Sequence, residues 1–303
     1  MSVVVVGDAL IDELRDDRGV REFVGGAALN VAVGLSRLGV PARLIATVGD
    51  DEPASRIRRY LADYGVELIA TPSLLGTARA VSTRSGGGEP AYEFNEAAQR
   101  RRIRFGEHER AAMGEADLIA VSCFAFDDTE QIAELADAVA EAAVPLAVDP
   151  NPRSGMLRDK DEFVRGFERL AASAALVKVG DDDATLLYGG RLDALRARVI
   201  DLGAGAVLAT EGAAGATIEA GDVVVTEPVS NLPGRIVDTM GAGDAAFAAA
   251  LAALVHETPS GHDEWEAVLR AAMDVAAATC RFEGALLRTP DALAGMDLDR
   301  LGT

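Results

Sequence analysis

The chain has 303 residues, 49% of them apolar and 26% charged, which suits a sizeable core and excludes a disordered polymer. Its 29 basic residues face 49 acidic ones, a formal charge of −20 that argues against nucleic-acid binding and against docking on an anionic membrane. No apolar run approaches the ~18 residues of a membrane span. The start of the chain lacks the basic region and cleavage site of a signal peptide. Cys123 and Cys280 are the only cysteines, and both lie in apolar segments, so a cytoplasmic setting is expected. His108, His256 and His262 do not combine with them at zinc-ligand spacing, and no Gly-x-Ser-x-Gly elbow occurs.

Apolar runs predict buried strands at Val3–Val6, Arg43–Val48, Leu118–Ser122, Leu146–Asp149, Leu176–Val179 and Ala206–Ala209. Helical patterns lie between them at Ala28–Leu38, Ala54–Tyr64, Thr129–Ala142, Asp161–Ala172 and Leu192–Leu202. This alternation predicts an α/β fold, a mostly parallel sheet covered by helices on both faces. Two stretches break the rhythm. Ile11–Phe23 is polar and short-stranded, and Ala78–Phe94 reads as a hairpin around Gly86-Gly87-Gly88. Together they predict a small β lid, segments of about 11–23 and 78–98 inserted in one domain of residues 1–303. Towards the end come a hairpin, Thr217–Val225, and two helices, Ala242–His256 and Trp265–Arg281.

The sharpest motif is Asp238-Thr239-Met240-Gly241-Ala242-Gly243-Asp244, which runs into a small-residue helix. Glycines at a helix start expose backbone N–H groups, and the helix dipole adds positive potential, so the segment can form an anion hole. Asp244 in the first turn would then serve as a proton acceptor; otherwise it is a helix cap. Gly25-Gly26-Ala27-Ala28-Leu29-Asn30 also opens a helix, with neither dinucleotide nor Walker spacing. It reads either as a ligand contact, with Asn30 facing sugar hydroxyls, or as a tight turn before a packed helix. Asp8 and Asp12 follow the first strand, where open α/β sheets bind ligands, although a solvated loop has the same pattern.

In combination these segments resemble the ribokinase/fructokinase family of sugar kinases, also called the phosphofructokinase-B family. The resemblance runs from Val3 to about Gly284 and carries both family signatures, Gly25–Asn30 and Asp238–Asp244. It implies a ribokinase-like fold and transfer of the γ-phosphate of ATP to a sugar hydroxyl. Asp244 is then the base, and the backbone of Gly241, Ala242 and Gly243 stabilises the phosphoryl group. Asp8, Asp12, Gly25, Gly26, Asn30, Asn151 and Arg153 fall to the sugar. Thr210, Gly212 and Gly215, in a Thr-x-Gly-x-x-Gly turn, fall to the nucleotide together with Lys178 and Asp183. The family commonly has Asn-x-x-Glu near Lys178; here Gly180-Asp181-Asp182-Asp183 keeps an acid and loses the asparagine. Asp183 is thereby the candidate for Mg²⁺, with an acidic helix start as the alternative. Asp238 is the candidate for a monovalent cation such as K⁺. Family members often use the lid as a homodimer contact.

Asp149-Pro150-Asn151-Pro152-Arg153 looks like the Asp-x-Asn-x-Arg segment of fructokinases and 2-keto-3-deoxygluconate kinases, which makes fructose the first expectation. Arg153 can pair with a phosphate, a substrate carboxylate or a loop acid. The run Arg100-Arg101-Arg102, with Arg104, reads as a solvated face or as a site for a phosphorylated substrate. 2-Keto-3-deoxygluconate, ribose or a nucleoside are the alternative substrates. A non-catalytic sugar- or nucleotide-binding protein is the alternative of another class.

Overall fold

The computed structural model describes residues 1–16, 19–83 and 91–294. The strands of the main layer are β1 (Val3–Gly7), β4 (Ala42–Val48), β5 (Glu67–Pro72), β8 (Leu118–Ser122), β9 (Leu146–Asp149), β10 (Leu176–Gly180), β11 (Val207–Thr210), β12 (Ala216–Ala220) and β13 (Val223–Glu227). They form one sheet in the order β13-β12-β11-β10-β9-β8-β1-β4-β5. From β11 to β5 every pairing is parallel; β12 and β13 add an antiparallel edge. The helices are α1 (Ala27–Arg37), α2 (Glu52–Asp63), α3 (Glu96–Gln99), α4 (Glu107–Gly114), α5 (Thr129–Ala142), α6 (Lys160–Ala171), α7 (Asp181–Asp183), α8 (Leu192–Leu202), α9 (Ala242–Leu254) and α10 (His262–Thr279).

The unbroken valines of β1 are explained by burial on both faces. Val3 and Val5 join a core with α1, α2, α9 and α10, while Val4 and Val6 join one with α4, α5, α6 and α8. In the second core Phe126 is wholly enclosed, edge-on to Phe163 and Phe167 at 5.2 and 6.1 Å between ring centres. The first core contains a close contact between two helices. Gly34 of α1 faces Ala248 of α9 so tightly that a Cβ on Gly34 would stand 3.0 Å from the alanine methyl.

A second sheet of four strands, in the order β3-β2-β6-β7, forms the lid. Its strands are β2 (Leu10–Asp16), β3 (Gly19–Gly25), β6 (Ala78–Thr83) and β7 (Ala91–Phe94). Leu10, Ala78, Ala80 and Phe94 pack with Cys123 and Met156 of the body, so the lid has its own small apolar base. Its hinge side is held by Asp51, the N-cap of α2. That carboxylate accepts from Ala54 N at 2.9 Å, Thr77 N at 2.8 Å and Thr77 Oγ1 at 2.6 Å. Ion pairs also tie the lid down, Arg56 of α2 to Glu22 and Arg21 to Glu283 in the loop after α10.

The predicted fold class matches this architecture, with β5, α4 and the short helices α3 and α7 added. β5 was not predicted because Glu67, Thr71 and Pro72 interrupt its apolar run, as an edge strand allows. α4 was not predicted because its eight residues bury chiefly Ala112 and Met113, too few for a visible period. The glycine run Gly86-Gly87-Gly88 lies outside the described residues. Among the described residues, no helix is long and apolar enough to cross a membrane.

The aromatic cluster yields a stability test. Phe126→Ala is expected to cost about 3–5 kcal/mol, as loss of a fully buried ring usually does. Urea unfolding followed by circular dichroism measures it; a cost below about 1 kcal/mol would show that the cluster collapses around the gap.

Candidate active site

The lid stands over the carboxyl ends of the central strands, and the motif residues gather there. β1 ends at Gly7, where a Cβ would lie 1.9 Å from the Ser122 carbonyl oxygen. The chain then turns, and Asp8 Oδ1 accepts the Ala28 N–H at 3.0 Å. The N-cap of α1 is Gly26, with no side chain to offer, so Asp8 performs the capping from another segment. The nearby Cys123 thiol favours the charged form of Asp8. One oxygen of this carboxylate is thus engaged within the fold. Burial pushes its pKa up, and the Ala28 N–H opposes that.

Asp12 differs. It sits on β2, and no donor among the described residues reaches it. Burial pushes its pKa up to about 7, with Asp8 and Asp244 adding like charge and Arg153 opposing them. Its space is made by Gly25, where a Cβ would stand 2.1 Å from Asp12 Oδ2. Gly26 has φ +113°, and a Cβ there would meet the Asp8 carbonyl oxygen at 2.8 Å. The two glycines therefore serve close approach, of a carboxylate in one case and of backbone in the other.

Asp244 lies in the first turn of α9 and is only 6% exposed. Asn30 Nδ2 donates to its Oδ2 at 2.8 Å, and Asn151 Nδ2 makes a longer contact of 3.4 Å to its Oδ1. The contact with Asn30 follows from helix packing: one turn further along, Gly34 meets Ala248. Burial pushes the pKa of Asp244 up to about 6. Asn30 opposes the shift, Asp149 adds to it, and Arg153 and Lys178 counter it. Asn30 and Asn151, both expected to contact sugar, thus each donate to Asp244.

The loop before α9 is built for close approach. Gly241 has φ +75°, and a Cβ there would lie 2.7 Å from Ala285. Among the described residues, the N–H groups of Gly243 and Asp244 find no acceptor, as expected of a helix start, while Ala242 N reaches Thr239 O at 3.3 Å. Lys178 lies close beneath, its Nζ 3.2 Å from where a Cβ on Gly243 would be. The ammonium is buried and bonded to Asp149 Oδ1 at 3.3 Å. Burial pushes Asp149 up, and Lys178 pulls it back. Asp149 was not among the predicted site residues. Its signal was an acid at the end of an all-apolar strand, level with a lone lysine in the neighbouring strand.

The remaining predicted residues divide. Asp183 Oδ2 accepts Gly180 N at 2.6 Å, and burial brings its pKa up to about 6, with Lys178 opposing. Thr210 ends β11 with its hydroxyl 3.4 Å from Val179 O, beside Lys178 and Gly180. Gly212 and Gly215 form the following turn at φ +51° and +108°. Asp238 uses both oxygens to order the loop, accepting Met240 N at 3.1 Å and Gly284 N at 3.2 Å. Arg153 is exposed to solvent and in electrostatic reach of Asp8, Asp12 and Asp244. The arginine run is structural: Arg100 pairs with Glu96, Arg102 with Glu130 and Glu134, and Arg101 donates to the carbonyls of Ala98, Cys123 and Phe124.

A carboxylate with a raised folded-state pKa loses stability as pH rises from its unfolded value of 3.8 towards its folded value. Asp12→Asn is therefore expected to raise the melting temperature at pH 8 and to change it little at pH 4. Calorimetry at the two pH values measures this, and an equal or opposite effect at pH 8 would show that Asp12 is held by favourable contacts.

Comparison with known proteins accords with this geometry. Residues 1–292 match the model of the pfkB family carbohydrate kinases. A fructokinase of Rhizobium leguminosarum bv. trifolii is 31% identical over 271 residues, covering 83% of this chain and 79% of the relative. Arabidopsis thaliana ribokinase, complexed with ribose and ATP, superposes with a TM-score of 0.77 at 21% identity over 96% of both chains. A Vibrio cholerae fructokinase double mutant, in a fructose, ADP and potassium ion bound form, gives 0.78 at 21% identity over 94% of both. The fold agrees with these solved structures, and the family match over nearly the whole chain settles its membership: the chain is a member of the PfkB family of carbohydrate kinases, phosphotransferases that take an alcohol group as acceptor.

Proposed function

We propose that the protein transfers the γ-phosphate of ATP to a primary hydroxyl of a small neutral sugar, fructose first. One observation carries the reading: a buried carboxylate, Asp244, adjoins free N–H groups at a helix start and has both oxygens oriented by amides. An acid beside the expected phosphate position is costly unless it accepts a proton, and a pKa of about 6 suits that task at neutral pH. Asp244 takes the proton as the sugar oxygen attacks in line. The Gly241–Gly243 backbone and the Lys178 charge below it meet the developing phosphoryl charge. Asp12 binds sugar hydroxyls from the lid, and lid closure excludes water.

Mg²⁺ suits the donors present. The acids of the cleft do not converge into a cage; the described residues place such a cluster only at His262, Asp263 and Glu266 on the surface. Mg²⁺ is commonly held by one or two carboxylates plus substrate phosphates, and Asp183 would hold it here. When bound, it neutralises charge on the phosphates. For potassium, the Asp238 carboxylate has acceptor capacity beyond its two backbone bonds. A lid-to-lid homodimer remains in the proposal on the family resemblance alone. The two unpaired cysteines suit a cytoplasmic protein.

Fructose is favoured by the Rhizobium relative and by the acids on the sugar side, which would repel a substrate carboxylate. Arg153 keeps 2-keto-3-deoxygluconate as the second reading, because it pairs with no acid among the described residues. ADP release from ATP and Mg²⁺ with fructose, 2-keto-3-deoxygluconate, ribose and adenosine separates these substrates. No release with any sugar would favour a binding protein.

Asp244→Asn is expected to keep sugar and nucleotide binding while turnover falls ~10²–10⁴-fold, the weight of a positioned base. Near-normal turnover would leave Asp244 a helix cap. Arg153→Met is expected to alter ATP handling more than fructose affinity. A selective loss of affinity for an acidic sugar, with fructose inert, would replace fructose by that acid.

A further inference from the structure

We propose that Asn151 is a positioning residue for the Asp244 carboxylate rather than a sugar ligand; this rests on the reading of Asp244 as the base. Asn30 fixes one oxygen, but a carboxylate held at one point can still rotate about its Cβ–Cγ bond. The Asn151 amide, 3.4 Å from the other oxygen and carried by a different segment, supplies a second point. The two donors define the carboxylate plane and leave its free lone pairs for the incoming hydroxyl.

The backbone at Asn151 supports this role. Its φ is +39°, in the left-handed region where asparagine is tolerated better than most residues. It also precedes Pro152, a position ordinarily pushed towards extended conformations. Such strain persists where the surroundings enforce it, often at functional sites. Here it turns the amide towards Asp244. Asn151 is 9% exposed, so little of it faces the cleft, and its backbone N–H favours the charged form of Asp149.

The charged groups acting on Asp244 are Asp149 at the end of β9, Asp12 from the lid, Lys178 from β10 and Arg153 from the segment after Asn151. Acids and cations oppose each other there, so a neutral amide donor is a lever on the base. Removing it disfavours the carboxylate form and moves the acid limb of the pH profile upward.

Asn151→Gly keeps the left-handed backbone accessible and removes only the amide. It is expected to lower kcat at least tenfold, keep the fructose KM within about twofold, and shift the acid limb of kcat to higher pH. Asn151→Asp, nearly isosteric, replaces the donor by a like charge and should shift that limb further, so the test survives if the glycine variant fails to fold. A fructose KM raised tenfold with kcat and limb unchanged would make Asn151 a sugar ligand and overturn the proposal. So would two folded variants with unchanged kinetics. Asp244→Asn is measured in parallel: if it retains turnover, the base reading itself falls; if it is inactive while the Asn151 variants show no limb shift, only the positioning role falls.

Discussion

The approach of α1 to α9 is the contact on which the rest of the site depends. Gly34 and Ala248 are small enough to bring the helices together, and one turn nearer their starts this sets the Asn30 amide against Asp244. Both helices begin at the cleft, so their first turns present the asparagine, the base and the N–H groups together. A larger residue at 34 would have to part the helices, and the polar contact would lengthen with the apolar one. Packing and chemistry share one constraint here. The alanine-rich face of α9, buried almost throughout, reflects that requirement for closeness.

Burial works against every acid in this cleft. Asp8, Asp12, Asp149, Asp183 and Asp244 are all raised by desolvation, and each is managed differently. Asp8 caps α1, Asp149 pairs with Lys178, and Asp183 accepts the Gly180 N–H. Asp12 has no such partner among the described residues. A buried carboxylate left without a donor is costly, and polar groups of a ligand would relieve that cost.

Much of this was legible in the sequence, for definite reasons. The buried strands were visible because burial on both faces leaves uninterrupted apolar runs such as Val3–Val6. The loop at Asp238–Asp244 was visible because its glycines are local requirements: Gly241 needs a positive φ and leaves no room for a Cβ beside Ala285. Long-range partnerships were not visible. Nothing local to α1 shows that an acid from another segment, Asp8, caps it in place of Gly26. The contact of Asn151 with Asp244 spans 93 residues and leaves no local pattern. The arginine run reads in the sequence as a solvated face, and folding pairs Arg100 and Arg102 with nearby glutamates; that Arg101 turns to backbone carbonyls was not visible.

The donors to Asp244 lie 214 and 93 residues before it in the chain. During synthesis the amino-terminal half can build β1, the lid strands and α1 while Asp244 has not yet left the ribosome. A partly made chain therefore holds Asn30 and Asn151 without the carboxylate to which they donate. Contacts of such long sequence separation also form late and slowly in folding. For this enzyme, turnover is a readout of completed tertiary assembly, and secondary structure alone is not.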